Sequence, residues 1–264
     1  MSSDKLYIKM SKILTIIPAR LASTRLPNKP LADILGKPMI VRVFEQAKKA
    51  NLGEVVVACD SAEIANAIEN IGGKAIITDP NLPSGTDRIF AAMQQIPNYQ
   101  DFEIIVNLQG DLPAIDPKVI KAAANTILQS DADIATVASI ISDKEEINNP
   151  NVVKIAIAFL EDSILGNAIL GNAILGNALY FSRAPIPHNA AEYYHHIGIY
   201  AYKRKSLERF VNLKPSNLEK TESLEQLRAL ENQMTIAVQI VDSHPLSVDN
   251  NEDLEKVRNF LRNK

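Results

Sequence analysis

Arg20, Arg25 and Lys29 fall within ten residues, directly after the apolar run Ile13 to Ile17. Pro18, Pro27 and Pro30 are interleaved with them, each lacking an N–H and each barring regular structure. Ala19, Ala22 and Ser23 keep the loop small. Cations, a hydroxyl and backbone N–H groups on a stiff loop suit a polyphosphate, whose oxygens need charge and donors together. One arginine on a surface loop calls for no ligand; three cations on a proline-stiffened loop point to an anion. The route is neither of the two commonest, because no G-x-x-x-x-G-K-[ST] occurs and no G-x-G-x-x-G follows the run.

Further residues carry chemistry downstream. Ser84-Gly85-Thr86-Asp87-Arg88 opens a helical stretch whose N-terminus suits an ordinary serine cap, a phosphate or an uncharged polar ring. Gln109, Gly110 and Asp111 close the apolar run Ile104 to Leu108, and an aspartate there is a hard oxygen ligand of the kind Mg²⁺ takes, or a turn residue ahead of Pro113. His195 and His196 look like a metal pair, yet neighbours on a strand face opposite ways, so one zinc ion would not easily meet both. Glu222 and Gln226 stand one turn apart on a predicted helix and could serve sugar hydroxyls or form an exposed pair. Asp249, read alone, is a helix cap.

The elements that must position these residues follow from periodicity. Ile13 to Ile17 is too short for a stable helix and is rich in β-branched residues, so it reads as a central strand. A helix follows from Lys37 to Ala50 with Ile40, Val43, Phe44 and Ala47 on one stripe, then a strand Glu54 to Cys59, a helix to Ile71 and a strand Lys74 to Thr78. A helix to about Gln95, the strand from Ile104, a helix Asp116 to Gln129 and a strand Ile134 to Ile141 continue the alternation. Strands are also expected at Val152 to Phe159, Leu179 to Pro187, Tyr194 to Tyr202 and Thr235 to Val241, and a capping box at Ser216 predicts one helix through Leu230. Such alternation predicts an α/β fold with a mostly parallel, doubly wound sheet, which places ligands at the carboxyl ends of the strands.

Between these elements Ile-Leu-Gly-Asn-Ala occurs three times in tandem over residues 164–178. A period of five fits neither helix nor strand, and Gly-Asn favours turns, so the repeat reads as an insertion in a loop. The 264 residues suffice for one large domain, expected over residues 10–264 with 1–9 as a disordered extension. A net charge of -3 leaves no basic face for bulk nucleic-acid binding. Cys59 is the only cysteine, so no intramolecular disulfide forms. No apolar run is long enough to span a bilayer and the first ten residues lack a signal-peptide core, so the cytoplasm is the expected place.

Pro18-Ala-Arg-Leu-Ala-Ser-Thr-Arg-Leu-Pro-Asn-Lys-Pro-Leu31 resembles the opening motif of the 3-deoxy-manno-octulosonate (Kdo) cytidylyltransferases, the CMP-Kdo synthetases. The resemblance runs from Lys12 to about Leu261. It implies a Rossmann-like nucleotidyltransferase fold with a small sugar-binding and dimerisation subdomain, a homodimer, CTP and Kdo as substrates and Mg²⁺ as cofactor. It assigns Arg20, Arg25, Lys29 and Asp111 to catalysis, and Ala19, Arg20, Ser84, Gly85, Arg88 and Gln109 to the nucleotide. It assigns Arg183, His196, Tyr200, Glu222 and Gln226 to the acidic sugar, and Asp111 with Asp249 to the metal. The chain departs from the pattern at Leu82, Leu112 and His195, where relatives commonly carry His, Glu and Arg. Two rivals remain: another sugar-acid or methylerythritol cytidylyltransferase, and a nucleotide-sugar binding protein without chemistry.

Overall fold

The computed structural model describes residues 12–23, 25–160, 175–243 and 245–264. The expected extension 1–9 and the first two copies of the repeat lie outside these residues.

β1 (Ile13–Ala19) is buried along its whole length because it lies mid-sheet, parallel to β4 (Gly53–Cys59) on one side and to β6 (Ile104–Leu108) on the other. Its side chains alternate between two cores. Ile13 and Ile17 pack with Ile40, Val43 and Phe44 of α1 (Met39–Ala50), Ile64 and Ile68 of α2 (Ala62–Glu69), and Val119, Ile120 and Ile127 of α4 (Pro117–Leu128). Leu14 and Ile16 pack with Ile89 and Met93 of α3 (Gly85–Gln94). Helices thus cover both faces, as a doubly wound sheet requires. Ser61, Ser84 and Asp116 cap α2, α3 and α4, each side chain accepting from a backbone N–H in the first turn.

Among the described residues the main sheet has nine strands in the order β5 (Lys74–Ile77), β4, β1, β6, β10 (Tyr194–Lys203), β7 (Ile134–Ile140), β11 (Ile236–Ile240), β9 (Leu175–Ser182), β8 (Lys154–Phe159). The pairs from β5 to β6 are parallel, as is β7 with β11. β10 enters antiparallel between β6 and β7, and β8 and β9 are antiparallel too. β2 (Asp33–Ile34) and β3 (Lys37–Pro38) form a separate two-stranded hairpin. The short α5 (Lys144–Asn148), then α6 (Arg204–Val211), α7 (Asn217–Glu222), α8 (Leu227–Glu231) and α9 (Asn251–Arg262) complete the chain.

Two expectations are corrected. The third repeat copy is not loop: Leu175 to Ala178 form the first half of β9, paired with β8 and β11. Gly176 earns its place by packing rather than turning, since a Cβ there would stand 2.7 Å from the Ala158 carbonyl oxygen and strike the Ile157 side chain. The predicted single helix through Leu230 is two helices, broken at Ser223, which adopts a left-handed conformation with φ of 54°.

The strand assignment makes Gly176→Val a stability test. We expect a loss of ~1 to 3 kcal/mol, read as a lower denaturation midpoint, because neither the Ala158 backbone nor the packed Ile157 can yield freely. A midpoint unchanged by the substitution would place residue 176 off the sheet.

Candidate active site

The carboxyl ends of β1 and β6 form the floor of a cleft of about 760 Å³. Gly110 allows the two ends to meet, for a Cβ there would lie 2.7 Å from the Pro18 carbonyl oxygen. Ala19, Arg20, Ser23, Arg25 and Lys29 line one wall; Leu82, Ser84, Gly85 and Arg88 line another; Gln109, Asp111 and Asp249 complete it.

Asp249 comes from the far end of the chain, and three contacts bring it here. The Val248 N–H donates to the Asp111 carbonyl at 3.0 Å. Val248 is itself buried with Leu26, Met39, Leu254 and Val257, so α9 and the cationic loop share a small apolar core beneath the site. The Asp249 N–H donates to Asp253 Oδ2 at 3.1 Å, while the Asn250 side chain caps α9. Asp249 is therefore not the cap; Asn250 is.

Lys29 joins the two carboxylates. Its Nζ lies 2.9 Å from Asp111 Oδ2 and 3.1 Å from Asp249 Oδ1, and Arg25 Nη2 approaches the same Asp249 oxygen at 3.1 Å. Burial alone would lower the Lys29 pKa, but Asp111 and Asp249 together raise it, so the ammonium stays charged. Two carboxylates already sharing one cation are a fitting donor set for Mg²⁺, which ordinarily takes one or two protein carboxylates and fills its shell with water and phosphate. No group of three or more His, Cys, Asp or Glu suited to a metal occurs among the described residues.

The nucleotide-side residues divide into lining and bracing. Ser84 accepts from the Asp87 N–H and donates to Asp87 Oδ2 at 2.7 Å, so its cap role is filled at the cleft edge. Arg88 is buried, with Nη1 donating to Thr78 Oγ1 at 2.7 Å and to the Asp79 carbonyl at 3.2 Å; it holds the loop before α3. Asp60 Oδ1 accepts from the Leu21 N–H at 3.0 Å and anchors the loop next to Arg20. Leu112, one of the positions expected to depart from the family pattern, is buried in the core.

Arg183, His196, Tyr200, Glu222 and Gln226 do not line this cleft; they gather where β8, β9 and β10 meet. Arg183 donates through Nε to the Glu222 carbonyl at 2.8 Å, through Nη1 to the Pro150 carbonyl at 2.8 Å and through Nη2 to the Ser223 carbonyl at 3.3 Å. The Glu222 carboxylate accepts from Ser182 Oγ at 2.8 Å and from the Arg183 N–H at 3.0 Å. Glu222 and Gln226 are not on one helical face, because the chain reverses at Ser223 between them. Gln226 is buried, and its Nε2 has no hydrogen-bond partner among the described residues. His196 is buried against Phe181, and its Nε2 is 3.0 Å from Thr136 Oγ1. Thr136 donates to the Ile199 carbonyl at 2.8 Å, which leaves its oxygen to accept from an Nε2–H of His196.

Two residues that sequence reasoning passed over hold this group. Lys154 is fully buried, and its Nζ donates to the Asn149 carbonyl at 2.9 Å and the Val152 carbonyl at 2.6 Å. Its backbone pairs with His195 and Ser182, the neighbours of His196 and Arg183. A lysine at the head of an apolar strand was the one available signal. Glu225 reaches the other way, accepting from Thr86 Oγ1 at the first turn of α3. Asn107 Nδ2 donates to the same Thr86 oxygen at 3.4 Å, and Gln109 Nε2 to Asn107 Oδ1 at 3.1 Å. Gln109 thus stands between the cleft and the buried polar group. Burial pushes the Glu225 carboxyl up despite the opposing pull of Ser84, Thr86 and Arg228.

A mixed sheet whose parallel strands β1 and β6 present a basic loop, a helix N-terminus and a carboxylate at their carboxyl ends, with a second carboxylate brought in ahead of α9, is the arrangement of a nucleotidyltransferase. The cytidylyltransferase family profile matches residues 14–236. The 3-deoxy-manno-octulosonate cytidylyltransferase of Paramagnetospirillum magneticum is 48% identical over 94% of this chain and 97% of its own, and that of Rhizobium meliloti 50% identical over 95% and 96%. A solved CMP:2-keto-3-deoxy-manno-octonic acid synthetase complexed with CTP superposes with a TM-score of 0.84 at 37% identity, covering 96% of this chain and 99% of that one. A nucleotidyl transferase from Methanothermobacter, 16% identical with a TM-score of 0.60 over 96% of this chain and 99% of its own, shares the fold. The chain belongs to the cytidylyltransferase family, and within it to the 3-deoxy-manno-octulosonate cytidylyltransferases.

His196 gives stability a pH dependence. Burial, and then the neighbouring His195, push its pKa down to about 3, so the folded protein holds it neutral while the unfolded chain takes up a proton below about pH 6.5. Stability from this residue is present above that value and is lost as pH falls toward 3. We expect about 2 kcal/mol less from this group at pH 5 than at neutrality, and a shallower acid limb in His196→Gln, measured by urea unfolding across that range. Parallel limbs in the two proteins would assign the acid loss elsewhere.

Proposed function

We propose that this chain transfers CMP from CTP to Kdo, releasing pyrophosphate, as a step toward lipopolysaccharide. The observation that carries the reading is the meeting of Lys29, Asp111 and Asp249 in one cleft with the loop of Arg20 and Arg25. The anomeric hydroxyl of the sugar attacks the α-phosphorus in line; a new oxygen–phosphorus bond forms as the bond to the β-phosphate oxygen breaks, and the hydroxyl proton is released to solvent. Arg20, Arg25 and Lys29 neutralise the triphosphate and the departing pyrophosphate, whose charge rises as the bond breaks. Ser84 and Gly85 at the start of α3 border the base. Asp111 and Asp249 would hold Mg²⁺, which when bound supplies charge neutralisation at the α-phosphate and lowers the pKa of the attacking hydroxyl.

Arg183, His196, Tyr200, Glu222 and Gln226 serve the acidic sugar in this reading, reached from the cleft past Gln109. The unpartnered Gln226 amide is a donor suited to hydroxyls, and neutral His196, its Nε2–H already given to Thr136, has its other ring nitrogen left as an acceptor. The resemblance set out above supports a homodimer as the working form, and the cytoplasm is the place expected from the sequence. No helix among the described residues is long and apolar enough to cross a membrane.

Pyrophosphate release with CTP and a panel of acidic sugars tests the reaction, and release with Kdo alone is the expected result. Asp111→Asn and Asp249→Asn should each lower turnover by roughly a hundredfold or more. The double variant should fall little below the worse single one, since both carboxylates serve one ion. Losses that multiply would show the two acting separately.

A further inference from the structure

The cleft is electrically balanced in an unexpected way. Asp111 and Asp249 carry two negative charges, and Lys29 and Arg25 return two positive ones at 2.9 to 3.1 Å. An approaching divalent ion therefore meets no net attraction from the four groups. It also meets an occupant. A magnesium ion binds oxygen at roughly 2.0 to 2.1 Å, so an ion shared by the two carboxylates would press against an ammonium about 3 Å from the same oxygens. The two cations compete for the same carboxylate oxygens.

We infer that Lys29 makes divalent-cation binding conditional on nucleotide: its ammonium stands between Asp111 and Asp249 until a triphosphate draws it away. The inference rests on reading the cleft as a nucleotide and metal site. Lys29 is only 16% exposed, and its backbone is fixed in a single 3₁₀ turn, Lys29–Leu31, with Pro30 and Leu26 buried beneath. Only the side chain is free to swing, and the cleft lined by Arg20, Ser23 and Ser84 is the space it swings into. Without nucleotide, evicting the ammonium breaks two charge-assisted hydrogen bonds and supplies no substitute. With a triphosphate in the cleft, phosphate oxygens replace the carboxylates, and the freed pair gains a net charge that favours a divalent ion. Coupling is reciprocal, so the ion strengthens nucleotide binding by the same factor. Lys29 in this way selects the ion together with its nucleotide over the free ion.

Titration of the full-length protein with Mn²⁺ in the absence of nucleotide, with free ion read by electron paramagnetic resonance, tests the gate. Lys29→Met should bind Mn²⁺ at least about tenfold more tightly than the unsubstituted protein, within the usual span of linked sites. Adding Asp111→Asn to Lys29→Met should abolish the gain. Equal affinities in the unsubstituted and Lys29→Met proteins, whether both bind or neither does, would overturn the inference, as would a gain that survives Asp111→Asn. Lys29→Gln is the second variant, with circular dichroism to verify the fold, so that a collapse peculiar to methionine does not decide the result. The underlying reading is tested separately by adding CTP to the unsubstituted protein with Mn²⁺ and following water-proton relaxation. Enhancement that Asp111→Asn removes supports the site; no enhancement sinks it whatever Lys29 does. Enhancement combined with equal nucleotide-free affinities would sink the gate alone.

Discussion

Everything at the cleft depends on one ammonium held between two carboxylates. Asp111 lies in the turn after β6 and Asp249 precedes α9, and without a cation between them two half-buried anions would repel at short range. Lys29 sits on a loop that begins at β1, so its charge links the first strand, the middle of the sheet and the last helix. The link is backed by matter: Leu26, Met39, Val248, Leu254 and Val257 form a small core under it, and the Val248 N–H binds the Asp111 carbonyl. Apolar packing sets where the charges stand; the charges then set what they attract.

The second polar group is organised on a different principle. Around the turn of residues 149–153 the backbone carbonyls are the acceptors. Lys154 takes two, Arg183 one, and the His196 N–H takes the Val153 oxygen at 2.8 Å. A buried ammonium without a carboxylate partner is costly to bury, and burial moves the Lys154 pKa down, with Arg183 adding to the effect and Glu222 opposing it. Such a lysine persists only where the surrounding carbonyls satisfy it. Between this group and the cleft runs a chain of side-chain bonds, Gln109 to Asn107 to Thr86 to Glu225, which couples the helix at the cleft edge to the segment after Ser223.

Strong periodicity was legible along most of the chain. The strands over Ile13 to Ile17, Glu54 to Cys59 and Ile104 to Leu108 stand where the apolar runs place them, and the caps Ser61, Ser84 and Asp116 open their helices. Failures came where tertiary contacts outweighed local preference. Gly-Asn reads as a turn, yet Gly176 and Asn177 lie in β9, because its neighbours leave room for a glycine and nothing larger. The capping box at Ser216 promises a long helix. Glu222 instead binds Ser182 and Arg183 while Glu225 binds Thr86, and the chain turns at Ser223 to reach both.

By itself the sequence determined the cationic loop, the carboxylate at the end of β6, the alternation of strand and helix, and through its motifs the family. These are local matters: spacing, charge and side-chain type act over a few residues. Only the tertiary structure decided which distant groups meet. Asp249 reads as a helix cap until Val248 is seen bonded to Asp111, and Lys29 reads as a loop cation until both carboxylates are found on it. Lys154 and Glu225 carry no local signature for their partners, because a buried charge is defined by what surrounds it. That surrounding comes from strands and turns far apart in the chain, and packing alone brings them together.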